Sequence, residues 1–280
     1  MKVLIPLMLI VVFAESATSQ QKIDLEKLGQ NTEAGRYANI RGIKIYYEMY
    51  GSGEPLLFIH PNGGSIKNFK QQVNFFAGKY RLILTDSRAQ GKSVDTSDSL
   101  TYEMMADDLN ELLDQLKIDS CNVIGWSDGG INALLLAMRH PKKVKKLVST
   151  GANLWPDSTA LDPWVFKDII NSYNKISSEP ASVASINKKK TIGLMLREPH
   201  IALKELSKIS CPSLIIGGDH EAILPLHTLL IAQSIPKSYL WIVPNSGHAT
   251  LVRYRDDFNK AVLDFLRKPF RKIQGNDMYR

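Results

Sequence analysis

From residue 55 onward, short continuous apolar runs alternate with stretches whose apolar residues recur every three or four positions. Pro55 to Ile59, Arg81 to Asp86, Cys121 to Ile124, Val144 to Thr150, Pro212 to Gly217 and Tyr239 to Val243 read as buried strands. Ile66, Phe69, Val73 and Phe76 predict a helix between the first two, and Met105, Leu109, Leu112 and Leu116 predict another. Further helices are expected over Ile131 to Met138, about His227 to Ser234, and about Tyr254 to Arg267. Upstream, Tyr37 to Tyr50 alternates about Arg41-Gly42, the pattern of a hairpin. Strands and helices in this rhythm predict an α/β chain: a mostly parallel eight-stranded sheet with helices on both faces and right-handed crossovers. From Ala152 to about Ser207 the rhythm lapses. Trp155, Trp164, Phe166, Ile169 and Ile170 fit helices there, with no buried strand. This predicts a small helical cap at 152–207, inserted between core segments 20–151 and 208–270 and followed by a basic tail at 271–280.

The first residues follow a different pattern. Met1-Lys2, the apolar run Val3 to Ala14, and small residues at Ala17 and Ser19 read as a secretory signal peptide spanning 1–19. The run is short for a membrane span, and no later segment is long and apolar enough for one. An exported protein, periplasmic or secreted, is therefore expected, with no stable membrane span after cleavage. Export permits disulfides, but Cys121 and Cys211 fall two strands apart, about 9–10 Å by ordinary strand spacing, too far to bridge. Two free, buried thiols are expected.

The 280 residues carry a formal net charge of +7, with 44% hydrophobic and 22% charged residues. Loss of residues 1–19 removes Lys2 and Glu15 and leaves the charge unchanged. The excess sits in Lys142, Lys143, Lys145 and Lys146, in Lys188-Lys189-Lys190, and in the tail. Such clusters are the pattern of solvated faces. A nucleic-acid partner would want an organised basic stripe or a recognition motif, and neither is present.

The candidate chemistry centres on Gly125-Trp126-Ser127-Asp128-Gly129-Gly130, between a strand and a helix. G-x-S-x-G in that setting is a nucleophile elbow, which lifts the serine oxygen above the sheet beside the N–H groups of a helix start. A serine needs a base, and the base a carboxylate. In strand–turn–helix proteins with this elbow the order is serine, acid, histidine. His248, in a Ser-Gly loop after the last strand, fits the histidine. Asp219 and Glu221, in Gly217-Gly218-Asp219-His220-Glu221, are the two candidate acids. His220 lacks a convincing second histidine, so no metal is expected. The backbone N–H of Asp128 and that of Asn62, in His60-Pro61-Asn62-Gly63-Gly64, are the candidate oxyanion donors. Gly63 leaves room for substrate, and Trp126 and Asp128 stand beside the nucleophile. The Asp128 carboxylate either favours the helix N-terminus or lines the pocket and pairs with a cationic substrate.

HPNGG, DSRAQGKS, GWSDGG, GGDHEAILP and SGH in this order resemble the α/β-hydrolase superfamily over essentially the whole mature chain. GWSDGGINALLLAMRHP and YRDDFNKAVLDFL are most similar to the valacyclovir hydrolase (biphenyl hydrolase-like) group. The family spacing of glycine, acid and proline matches Gly218, Glu221 and Pro225, which favours Glu221 over Asp219, although aspartate is usual there. Pro61 and Ala89 each stand where the family commonly has glycine. The resemblance implies that the residue matching Asp128 recognises a substrate amino group. The expectation is a cofactor-free serine hydrolase acting on a small-molecule ester, an aminoacyl ester or a lactone, through an acyl-enzyme. Carbon–carbon bond hydrolysis or perhydrolysis on the same triad, and a non-catalytic binding protein with this fold, are the alternatives. The sequence is silent on oligomeric state.

Overall fold

The computed structural model describes residues 22–279, so the leader at 1–19 and its cleavage lie outside them. Chain order runs β1 (Gly35–Ile40), β2 (Ile43–Tyr50), β3 (Pro55–Ile59), α1 (Val73–Ala77), β4 (Arg81–Thr85), α2 (Tyr102–Gln115), β5 (Cys121–Trp126) and α3 (Asp128–Arg139). It continues with β6 (Val144–Thr150), α4 (Pro163–Ser177), α5 (Val183–Arg197), β7 (Ser213–Gly218), α6 (Pro225–Ser234), β8 (Ser238–Val243), α7 (Thr250–Arg253) and α8 (Arg255–Arg267). The strands form one eight-stranded sheet in the order β1-β2-β4-β3-β5-β6-β7-β8. β1 pairs antiparallel with β2, and β2 antiparallel with β4. The other pairings are parallel.

β5 and β7 are buried at every position. A central parallel strand covered on both faces has no solvent side, so its sequence reads as a continuous apolar run. One apolar cluster joins Leu57, Val123, Leu134 and Ile215 to α2 and α3. A second, on the opposite face, joins Phe58, Phe69, Phe76, Ile124, Phe258 and Val262. Cys121 and Cys211 are both buried and free, and burial pushes the Cys121 thiol up to about 12. Among the described residues no helix is long and apolar enough to cross a membrane.

One helix differs from the sequence expectation. Ile66 to Phe76 is not one helix: Ile66–Phe69 forms a 3₁₀ turn, capped by Ser65, and only Val73–Ala77 is α-helical. The apolar positions still face the core, because both short pieces present them to the same side of the sheet. The last helix, expected over about Tyr254 to Arg267, is α8, and Tyr254, with φ of −111° and ψ of 42°, separates it from the short α7.

The segment between β6 and β7 carries α4 and α5, which pack on each other. Its attachment to the core is ionic as well as apolar. Asp95, fully buried, accepts from Lys190 of α5 at 2.7 Å and pairs with Arg88 at 3.4 Å. The Asp95 N–H donates to Asn187 of α5 at 3.0 Å. Arg88 in turn donates to both carboxylate oxygens of Asp108 on α2, at 2.6 and 2.8 Å. A planar guanidinium serves two carboxylates from one position, which a lysine could not do with the same geometry.

Candidate active site

β5 runs directly into α3, with Ser127 alone at the bend. Its φ of 57° and ψ of −121° lie outside the regions an ordinary side chain adopts, so the turn is strained. Glycine on either side makes that turn possible. A Cβ on Gly125 would come within 2.0 Å of the Gly129 carbonyl oxygen, and one on Gly129 within 1.9 Å of the Ile59 oxygen.

Ser127, His248 and Glu221 meet at the carboxyl ends of the parallel strands. The His248 Nε2 lies 2.9 Å from the Ser127 Oγ. Its Nδ1 lies 2.5 Å from the Glu221 Oε1. With the carboxylate as acceptor, Nδ1 carries the hydrogen, and Nε2 is left to accept from the serine hydroxyl. Glu221 is buried and accepts backbone N–H groups from Gly218 at 3.2 Å and Ala222 at 2.9 Å, which fix its orientation. Asp219 points elsewhere. It accepts from the N–H of Ser246 at 3.0 Å and pairs with the Nδ1 of the exposed His220 at 2.8 Å. These hydrogen bonds, with one from the Asn245 backbone ahead of them, hold its carboxyl well below the usual range. The structure thus puts Glu221, and not Asp219, behind the histidine. Among the described residues no group of three or more His, Cys, Asp or Glu side chains is placed to hold a metal ion.

A cavity of about 360 Å³ opens over the serine. Trp126, Ser127, Asp128 and His248 line its floor, and Leu161, Val165, Ile169 and Met195 come from the cap segment. The cavity wall is mostly apolar, with polar groups gathered near the serine, the usual composition of a small-molecule site. Trp126 also reaches behind the histidine, its indole N–H donating to the His248 carbonyl at 2.9 Å.

Asp128 is buried and lines the cavity. It accepts from the side-chain amide of Asn62 at 2.7 Å and from the hydroxyl of Tyr102. Burial raises its carboxyl to about 6, against the lowering effect of those two donors. Tyr102 is buried at the start of α2, and its hydroxyl is pushed well above its ordinary value by burial and by Asp128. Tyr102 was not legible as a site residue: in the sequence it is one more aromatic at the head of an amphipathic helix.

Asn62 does more than the sequence reading gave it. Besides Asp128, its side-chain amide donates to the Thr191 carbonyl of α5 at 3.0 Å, spanning core and cap. The N–H of Asp128 is the first of α3 and has no carbonyl one turn back to bond. Gly63 is placed differently from expectation. Its N–H donates to Gln90 Oε1 at 2.7 Å, and it lines a neighbouring cavity, not the one over Ser127. Gly63, with φ at +64°, sits in a tight turn closed by the Gly64 N–H on the Pro61 carbonyl at 3.0 Å.

A family model described as alpha/beta hydrolase fold matches residues 54–172. The esterase of Thermogutta terrifontis superposes with a TM-score of 0.72 at 21% identity, covering 83% of this chain and 98% of that one. The chain has the α/β-hydrolase fold. Among curated proteins the chain is similar to the serine hydrolase BPHL of Mus musculus, 27% identical over 248 residues, covering 81% of this chain and 84% of the relative. It is also similar to a 2-hydroxymuconate semialdehyde hydrolase of a Pseudomonas species, 29% identical over 266 residues, covering 84% of this chain and 94% of the relative. Both relatives are hydrolases by name, and the elbow serine lies inside the segment that the family model matches.

Proposed function

We propose that this α/β hydrolase cleaves a small carboxylic ester through an acyl-enzyme. The observation that carries the reading is the unbroken relay from Ser127 Oγ through the His248 imidazole to the Glu221 carboxylate. In the first step His248 Nε2 takes the hydroxyl proton while the serine oxygen bonds to the ester carbonyl carbon. The backbone N–H groups of Asp128 and Asn62 stabilise the developing oxyanion, each worth roughly 3–4 kcal/mol by analogy with proteases. His248 then returns the proton to the departing alcohol. A water, deprotonated by the same imidazole, attacks the acyl carbon and releases the acid. Glu221 holds the ring in the tautomer that both steps need and offsets its positive charge. The chemistry calls for no cofactor.

The buried Asp128 carboxylate on the cavity wall supports an aminoacyl ester as substrate, because an ammonium group there would gain a charge-assisted hydrogen bond. On the pattern of residues 1–19 we also propose that the protein is exported.

A fluorophosphonate probe tests the covalent step. It should label the folded protein at Ser127, and Ser127→Ala should abolish labelling. A folded protein that resists the probe would favour a non-catalytic binding role.

A further inference from the structure

A second cavity of about 470 Å³ lies beside the one over Ser127. The two share one roof. Along α5, Ala184, Asn187, Lys188 and Thr191 line the second cavity, and Met195 lines the first. Steps of three and four residues place all of them on one face of the helix. They share one wall as well. Asn62 borders the first cavity, Gly63 borders the second, and the Asn62 side chain closes the gap by donating to Thr191. A single amide side chain with rotatable bonds therefore stands between two compartments under one helix.

The second compartment has a definite chemistry. Val94 and Val183 give it an apolar rim, and both are exposed in this structure. Its cation is Lys188. In the run Lys188-Lys189-Lys190, Lys190 is held by Asp95 and Lys189 lies over the ring of Tyr173. Lys188 has no ion pair among the described residues, and it borders the cavity. Gln90, buried in the same wall, uses its oxygen on Gly63 and leaves Nε2 without a partner. A small side-chain movement would let that donor meet an acceptor on a ligand.

We propose that the second cavity receives the distal arm of an elongated substrate, an aliphatic stem ending in a carboxylate, with Lys188 as the specificity-determining residue. This deepens the ester-hydrolase reading and rests on it. The stem packs on Val94 and Val183, and the carboxylate meets the Lys188 ammonium. Asn62 swings aside from Thr191 to admit the arm, so short esters use the first cavity alone.

The test compares kcat/KM for matched esters in the wild type, in Lys188→Gln and in Ala184→Trp. One series carries a terminal carboxylate, or its neutral methyl ester, on the acyl arm, and another carries it on the alcohol arm. An acetyl ester is the reference. In the wild type at least one carboxylate series should exceed its neutral partner. Lys188→Gln should reduce that preference by about three- to fivefold, the ceiling for one partly exposed ion pair. Ala184→Trp, which fills the second cavity from the first turn of α5, should abolish turnover of the long arm and spare the acetyl ester. A preference unchanged by both variants, or absent from both series, overturns the proposal while acetyl turnover still upholds the hydrolase. Loss of every ester in the wild type would instead remove the hydrolase reading beneath it.

Discussion

The indole N–H of Trp126 donates to the backbone carbonyl of His248, 122 positions away in the chain, at 2.9 Å. The residue before the nucleophile thus tethers the loop of the base. Trp126→Phe keeps an aromatic ring but leaves that carbonyl without its partner, at a cost of about 1–3 kcal/mol if the group stays dry. The freed loop should misplace the imidazole. Turnover of a short ester is expected to fall roughly 10- to 100-fold, with fluorophosphonate labelling slowed in parallel. An unchanged kcat would mean that the loop is held by other contacts.

Glu221→Gln and Asp219→Asn separate the two acids. The Glu221 carboxylate accepts from His248 at 2.5 Å, and its amide would support the wrong tautomer. A loss of about 10⁴ in kcat is expected, the scale of the equivalent change in a serine protease. Asp219→Asn touches a surface pair with His220 and should stay within about twofold. Equal losses in the two variants would mean that the loop, and not one carboxylate, supports the histidine.

Asp128 should make both substrate choice and stability respond to pH. Burial lifts its folded carboxyl from 3.8 to about 6, so the ordinary direction for an aspartate is reversed. The unfolded chain loses this proton near 3.8 and the folded chain only near 6, so this residue lowers stability as pH rises through that window. Chemical denaturation from pH 4 to 6.5 should show that slope in the wild type and its absence in Asp128→Asn. The ratio of kcat/KM for an aminoacyl ester over its uncharged analogue should rise across the same window in the wild type and stay flat in the variant. Taking the ratio cancels the titration of groups common to both substrates.

Asp95 ties the cap to the core. It is fully buried against Arg88 and Lys190, so Asp95→Ala leaves Lys190 without a carboxylate and leaves Arg88 with Asp108 alone. Removing one partner of a buried charge cluster costs about 3–5 kcal/mol, and a clear fall in Tm is expected. Lys190→Met, which leaves the Arg88 pair intact, should cost less. The reverse order in thermal melts would count against a cap held chiefly through this carboxylate.

Ala89 shows how a sequence departure becomes a structural fact. It stands where the resemblance has glycine, and its φ of 62° lies in the left-handed region. The backbone keeps the turn and bears the strain, about 1–2 kcal/mol for a residue with a Cβ. The broken helix at Ile66–Ala77 shows the opposite limit. Periodicity reports which side of an element is buried, and it stays correct when the backbone changes helix type between turns.

By itself the sequence determined the strand–helix rhythm, the elbow at Ser127, and the order in which serine, acid and histidine occur. Those are local properties: apolar period, glycine where no Cβ fits, polar residues in loops after strands. Which carboxylate stands behind His248 was decided in three dimensions, because Asp219 and Glu221 leave the same strand and only the packed loop aims one of them inward. The same holds for Asn62 reaching from Asp128 to Thr191, for Tyr102 on the Asp128 carboxylate, and for Gly63 bordering a second cavity. Each depends on contacts between segments far apart in the chain. Spacing along a sequence carries no record of such contacts, since they follow from the sheet order and from where the cap comes to rest.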